Sequence, residues 1–255
     1  MLWILLGCTA PIGETHRAPA DSVPADSQVA DSDSAHRDSA HPDSAHPDSA
    51  IEGPCPADMA PVAGACMDLY EAPNVYGELP LVMYTWVEAG EWCSERGKRL
   101  CTDEEWQTAC EGGAGRAYPY GDALEAGRCN DEETWRVYSQ DELNAWPSSA
   151  SGPEIESLDA LFAAAGSAAG EVQDLYQGEG AGVNTGCVND FGIYDLVGNV
   201  EEWTIRADGG ETSFHGSLKG RYWAESRTCQ SGVTTHGDTF RFYEIGFRCC
   251  GVAGP

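Results

Sequence analysis

Ten of the eleven cysteines lie between residues 55 and 250, and none of them forms a Cys-x-x-Cys pair. That distribution constrains the fold more than any other feature of the chain. A zinc site needs clustered Cys or His ligands, and only His215 and His236 share this stretch. Disulfides formed in an oxidising compartment are the better reading. With Cys8 set aside, the remaining ten cysteines are an even number suited to five bridges.

Cys8 has a setting of its own. Met1-Leu-Trp-Ile-Leu-Leu-Gly-Cys8 is an apolar run that resembles a bacterial lipoprotein cleavage site, where the cysteine receives lipid. The run is shorter than the usual ~7–15 residues and no Lys or Arg precedes it. It is also too short to span a bilayer as a helix. From Thr9 to about Ile51 there is no Phe, Tyr or Trp, and Asp-Ser pairs begin at residues 21, 26, 31, 33, 38, 43 and 48. Such a segment buries too little to offset the entropy of ordering its backbone. Its His36, His41 and His46 are read as parts of a solvated spacer. The expected organisation is therefore a lipoprotein-type signal segment at 1–8, a disordered Asp/Ser/Ala/Pro/His-rich tether at 9–51, and one domain at 52–255. An exported protein results, lipid-anchored at Cys8 on a bacterial outer membrane or cell surface.

The formal net charge is −28. It argues against nucleic acid, whose phosphates repel it, and against adhesion by charge to an anionic membrane. Membrane contact is expected only through the lipid.

Within the folded part, Cys55 to Cys66 reads as a small hairpin closed by its own cysteines, followed by a strand at Met67–Tyr70. Trp86, Ala89 and Cys93 fall at helical spacing from about Thr85 to Arg96, and Gly97 suits the helix end. Thr102-Asp-Glu-Glu105 has the form of a capping box, which predicts a second helix at about 103–111 with Trp106 and Cys110 on one face. Residues 131–185 are less readable: Asp159–Ala165 has the form of one short helix, and the rest is rich in Gly, Ser and Glu. After Phe191 short strands dominate, broken by glycines.

The segment Asp195-Leu-Val-Gly-Asn-Val-Glu-Glu-Trp203 sets two acidic side chains, Asp195 and Glu202, around a Gly-Asn turn. It reads either as a surface turn between strands with Trp203 in the core, or as oxygen ligands for a hard cation. The segment resembles one from the formylglycine-generating enzyme family, also called the sulfatase-modifying factor family. Gly97-Lys-Arg-Leu-Cys-Thr-Asp-Glu-Glu-Trp106, Tyr118-Pro-Tyr-Gly-Asp122 and Gly246-Phe-Arg-Cys249 resemble its other motifs, in the same order. The resemblance implies an α+β domain, the formylglycine-generating-enzyme-like variant of the C-type-lectin fold. That variant has low regular secondary structure, and this copy of it is disulfide-rich.

The same resemblance implies a structural calcium ion held by the side chains of Asp195 and Glu202 and the carbonyls of Gly198 and Val200. Glu201 stands at a position usually aromatic or neutral and is expected to face solvent. A second cation site begins at Asn130. The implied disulfides are Cys93–Cys249 and Cys110–Cys229. Cys101–Cys250 and Cys129–Cys187 follow by exclusion. Catalytic members of the family hold copper between two thiols. Counting from Trp223, the first thiol position holds Glu225 and the second holds Gln230. Copper is therefore not expected, and no catalytic residue is assigned.

Two function classes stay open. One is a calcium-stabilised, non-catalytic binding or display module, whose ligand or exported protein partner meets residues 131–185 and the 206–240 loops. The alternative is a metal-dependent oxidase of the same family acting on exported protein substrates. Fold alone does not choose between them.

Overall fold

The computed structural model describes residues 54–254; Cys8 and the 9–51 tether lie outside the described residues. The fold is α+β, with short elements and much irregular backbone. Strands β1 (Met59–Val62) and β2 (Ala65–Asp68) form a hairpin about Ala63-Gly64. Strand β9 (Cys249–Val252) pairs antiparallel with β2 on one side and with β3 (Arg99–Leu100) on the other. A second sheet places β4 (Glu201–Ile205) between β5 (Gly216–Lys219), antiparallel, and β8 (Ile245–Phe247), parallel. Strands β6 (Arg221–Tyr222) and β7 (Glu225–Ser226) make a separate hairpin.

Helix α1 (Trp86–Glu95) starts at Thr85, whose hydroxyl accepts from the Glu88 amide while Glu88 reaches back to the Thr85 amide. Helix α2 (Asp103–Glu111) repeats this box with Thr102 and Glu105. Each box satisfies two amide donors that a helix start otherwise leaves open. α1 ends before Gly97, whose φ of 68° is the left-handed conformation that glycine adopts at least cost.

Residues 131–185 are ordered, which the sequence alone does not reveal. They carry α3 (Gln140–Asn144), α4 (Leu158–Ala165) and α5 (Ala169–Leu175). Ser139 and Ser157 cap the first two. Leu143, Trp146, Leu158, Leu161, Val172 and Leu175 enter the same core as Trp92, Trp203 and Phe247. Burial of each such side chain is worth about 1.5–3 kcal/mol relative to exposure, so the segment contributes to the core. Polar ties fix its register: the Trp92 indole donates to the Ile155 carbonyl at 2.7 Å, and the Tyr84 hydroxyl to the Gly152 carbonyl at 2.9 Å.

Five disulfides join Cys55–Cys66, Cys93–Cys249, Cys101–Cys250, Cys110–Cys229 and Cys129–Cys187. They are the pairs implied by the resemblance, the hairpin reading and exclusion. Cys249 and Cys93 belong to the large core with α3–α5. Cys250 and Cys101 belong to a second core, with Trp106, Leu196 and Val197. Successive strand residues point to opposite faces, so β9 sends one cysteine into each core. No helix of the described residues is long and apolar enough to cross a membrane.

Candidate cation site

The turn before β4 is built from backbone that few residues accept. Asp195, Gly198 and Asn199 all have positive φ, of 56°, 74° and 55°. Gly198 lies against the Asn130 carbonyl: a Cβ there would stand 2.4 Å from that oxygen. The next amide, of Asn199, donates to the same carbonyl at 2.7 Å. Gly198→Ala is thus expected to lower stability by more than about 1 kcal/mol, from strain and overlap together. A thermal melt checks it, and an unchanged Tm contradicts the packing.

Asn199 ties the turn to its surroundings. Its Nδ2 donates to Glu71 Oε1 at 3.0 Å and to the Glu179 carbonyl at 3.2 Å. Its Oδ1 accepts from Asn130 Nδ2 at 3.1 Å and from the Glu179 amide at 2.8 Å. Glu71, Asn199 and Glu179 therefore join the expected residues. Glu71 and Glu179 lie far from the motif in sequence, and no local signal marks them.

The expected acidic ligands have partners already. Glu202 and Arg248, each 1% exposed by side chain, form a two-point pair: Nε to Oε2 at 2.7 Å and Nη2 to Oε1 at 2.6 Å. The Trp106 indole adds a bond to Glu202 Oε2 at 2.9 Å. Asp195 Oδ2 accepts from the Gly182 amide at 2.6 Å. Burial, countered by this bond and by Arg248, pushes the Asp195 carboxyl up to about 7. Glu71 is fully buried with Oε2 unpartnered among the described residues, and burial followed by the Asp195 charge raises its pKa strongly. Gly198 donates its amide to the Gly220 carbonyl at 3.1 Å, and Val200 is buried against the core. Among the described residues, no group of three or more His, Cys, Asp or Glu side chains is placed to hold a metal ion.

Glu201 does not face solvent. It is 3% exposed and pairs with Arg221 at 3.0 Å. β4 is the central strand of its sheet, with β5 and β8 on its two sides, so this end of it is enclosed and a carboxylate there needs a charged partner.

Asn130 opens onto a pocket of about 210 Å³, lined by Asp131, Glu132, Glu133, Glu179 and Asn184 among others. Its Nδ2 is engaged with the Gln177 carbonyl and Asn199. Asp131 is buried, and its Oδ1 has no hydrogen-bond partner among the described residues. Burial, followed by the Glu132 charge as the next factor acting in the same direction, raises the Asp131 pKa, while a Ser226 bond opposes them. An unsatisfied carboxylate oxygen in a pocket with two side-chain amides and three further acids offers donors of the kind calcium takes. The oxygen donors are of the right kind for such an ion, but fewer than three acidic side chains converge to hold it among the described residues.

The residues at the two thiol positions do not fit copper. The Glu225 side chain, at the first thiol position, accepts from Arg221 Nε at 3.1 Å and from Arg227 Nε at 2.8 Å. Cys229 is bonded to Cys110 and fully buried. Gln230, at the second position, donates to Glu111 at 2.8 Å. Hard carboxylate and amide groups around a guanidinium are a poor match for a soft monovalent ion.

Residues 131–185 meet the 206–240 loops and their exit at a pocket of about 330 Å³. Gln140, Leu143, Asn144 and Trp146 form one wall, and Thr239, Phe240 and Arg241 the other. Arg241 is held by Glu88 at 2.8 Å, which fixes that wall to α1.

A family model described as "Sulfatase-modifying factor enzyme 1-like domain" matches residues 28–252. The chain is 30% identical over 194 residues to the Bos taurus protein named inactive C-alpha-formylglycine-generating enzyme 2, covering 69% of this chain and 52% of the relative. It is 27% identical over 202 residues to the formylglycine-generating enzyme of Thermomonospora curvata, covering 67% and 54%. The chain spans about half the length of these curated relatives. Among solved structures, the Major Tropism Determinant U1 variant superposes with a TM-score of 0.47 at 13% identity, over 79% of this chain and 54% of that one.

Proposed function

From its family, the sulfatase-modifying factor enzyme 1-like domain family to which the chain belongs, we propose that the protein is an exported, lipid-anchored binding module stabilised by calcium, without oxidase activity. One observation carries this reading. The first thiol position holds Glu225, bonded to Arg221 and Arg227, and the nearest cysteine to the second is locked to Cys110. The relative whose name includes "inactive" is in keeping with it. The ligand is taken at the pocket between residues 140–146 and 239–241, where residues 131–185 meet the end of the 206–240 loops.

Calcium has a structural role in this reading. Asn130, Asp131 and Glu179 hold it, and it closes the turn through Asn199. At the Asp195–Glu202 group, the ion has to compete with Arg248 for Glu202, so binding there is the weaker of the two. Saturating calcium, at about 100 times its dissociation constant, contributes about 2.7 kcal/mol. Tm then rises by roughly 5–10 °C for a domain of this size. A Tm indifferent to both calcium and chelator overturns the calcium assignment. Metal analysis beside a free-thiol count tests the rest: calcium without copper, and no free thiol between residues 55 and 250, is the expected result. Stoichiometric copper with a free Cys229 thiol reverses it in favour of an oxidase.

A further inference from the structure

Strands β4 and β8 start side by side, with Glu201 opposite Ile245, so Glu201 and Glu244 meet at one end of the sheet. The Glu201 amide donates to the Glu244 carbonyl at 2.9 Å. Hairpin β6–β7 lies across this end and brings in Arg221, Glu225 and Arg227. The two guanidinium groups are engaged by Glu201 and Glu225. Glu244 forms no salt bridge among the described residues. It is 8% exposed, and its Oε2 is buried with no hydrogen-bond partner among the described residues. Burial, and then the Glu201 charge, push its carboxyl up to about 8, with Arg221 and the Tyr243 hydroxyl acting the other way.

A run of aromatic rings leads outward from this carboxyl group. Tyr243 is next in sequence and bonds it, and Tyr222 lies close enough to feel its charge. Phe242 stands 4.6 Å from Tyr243, and Tyr138 stands 5.0 Å from Phe242. Trp135, 6.1 Å from Tyr138, is 48% exposed and forms the outer edge. Residues 131–185, which supply Tyr138 and Trp135, carry eleven acidic residues and one basic, Arg136.

We propose that Glu244 and these rings form a binding site for an organic cation, an alkylammonium or guanidinium group such as a lysine or arginine side chain carries. The electron-rich rings attract such a group, and Glu244, giving up its proton to solvent as the cation binds, supplies a charge-assisted hydrogen bond. The acidic surroundings raise the local concentration of cations. This site is distinct from the calcium group and stands whether or not the chain is an oxidase.

The test is a calorimetric titration of the disulfide-intact chain with N-butylguanidinium, butylamine and, as a neutral control, butanol. Saturable binding of either cation, and none of butanol, is expected. The two cations separate a guanidinium from an ammonium preference. Glu244→Gln is expected to weaken binding by more than about tenfold, as loss of a hydrogen-bonded charge pair does. Trp135→Ala, at an exposed position that does not threaten folding, is expected to weaken it about two- to fivefold. Glu104→Gln, on the exposed side of α2, is expected to leave affinity unchanged. Absence of saturable cation binding, or equal binding by wild type and both site variants, overturns the proposal and leaves Glu244 a buried neutral acid. If Glu244→Gln does not fold, the Trp135→Ala result decides alone. The calcium melt and the thiol count read the functional assignment separately, so the two can fail independently.

Discussion

Arg248→Met is expected to destabilise the domain by about 3–5 kcal/mol at pH 7, the cost of leaving a buried charge unpaired. The guanidinium is the cation nearest to three buried acids. It holds Glu202 by two bonds and also acts on Glu71 and Asp195. Its Nη2 donates in addition to the Tyr194 carbonyl at 2.9 Å, so methionine also strands a carbonyl. The loss is expected to shrink as pH falls from 7 to 5. Asp195 and Glu71 have folded-state pKa values above their unfolded ones, so the folded state binds more protons and gains stability on acidification. Removing Arg248 takes away the charge that opposes these two shifts, and so strengthens that trend. Denaturant melts of the oxidised protein at both pH values read the effect. Equal losses at the two pH values mean that packing, and not charge, sets the cost.

Cys93→Ala with Cys249→Ala is expected to cost about 4–5 kcal/mol in the chain-entropy account, because the bridge closes a loop with a sequence separation of 156 residues. Removing Cys55–Cys66, with a separation of 11, is expected to cost about 3 kcal/mol. Domains of this size hold about 5–15 kcal/mol in all, so the long bridge carries the larger share of it. Equal losses from the two pairs contradict the entropic ranking.

Helix α2 was legible because its start is written locally, and α1 because Trp86, Ala89 and Cys93 keep helical spacing. Thr102 and Glu105 stand three apart, as the box requires, and the structure begins α2 at Asp103. The hairpin at 55–66 and the paired cysteines were likewise local or carried by ordered motifs. The helices α3 and α5 were not legible. α3 has five residues and a single buried one, Leu143, too few to show a period. α5 lacks a side-chain cap and carries Gly170 in its first turn. Tertiary burial against Trp92 and Trp223, not propensity, holds that segment in place. Glu201 was misread for a related reason: an acidic residue beside another acidic residue looks solvated until a distant Arg221 is brought to it. The Asn130 group was half legible. Asn130 was marked by the motif that precedes it, while Glu179 reaches it only through the fold.

The adjacent cysteines of β9 set a sorting problem for the nascent chain. Cys249 and Cys250 become available together, and Cys93 and Cys101 are only a helix end apart, so four thiols permit a crossed arrangement that joins the same two segments. Loop lengths barely differ between the crossed and native pairings, so chain entropy does not tell them apart. What separates them is the alternation of the strand, which turns one sulfur toward Trp92 and the other toward Trp106. Correct oxidation therefore waits until β9 has settled between its neighbours. A chain oxidised before that point carries its error inward, where no reductant reaches it, and its rescue depends on thiol exchange while both cores are still open.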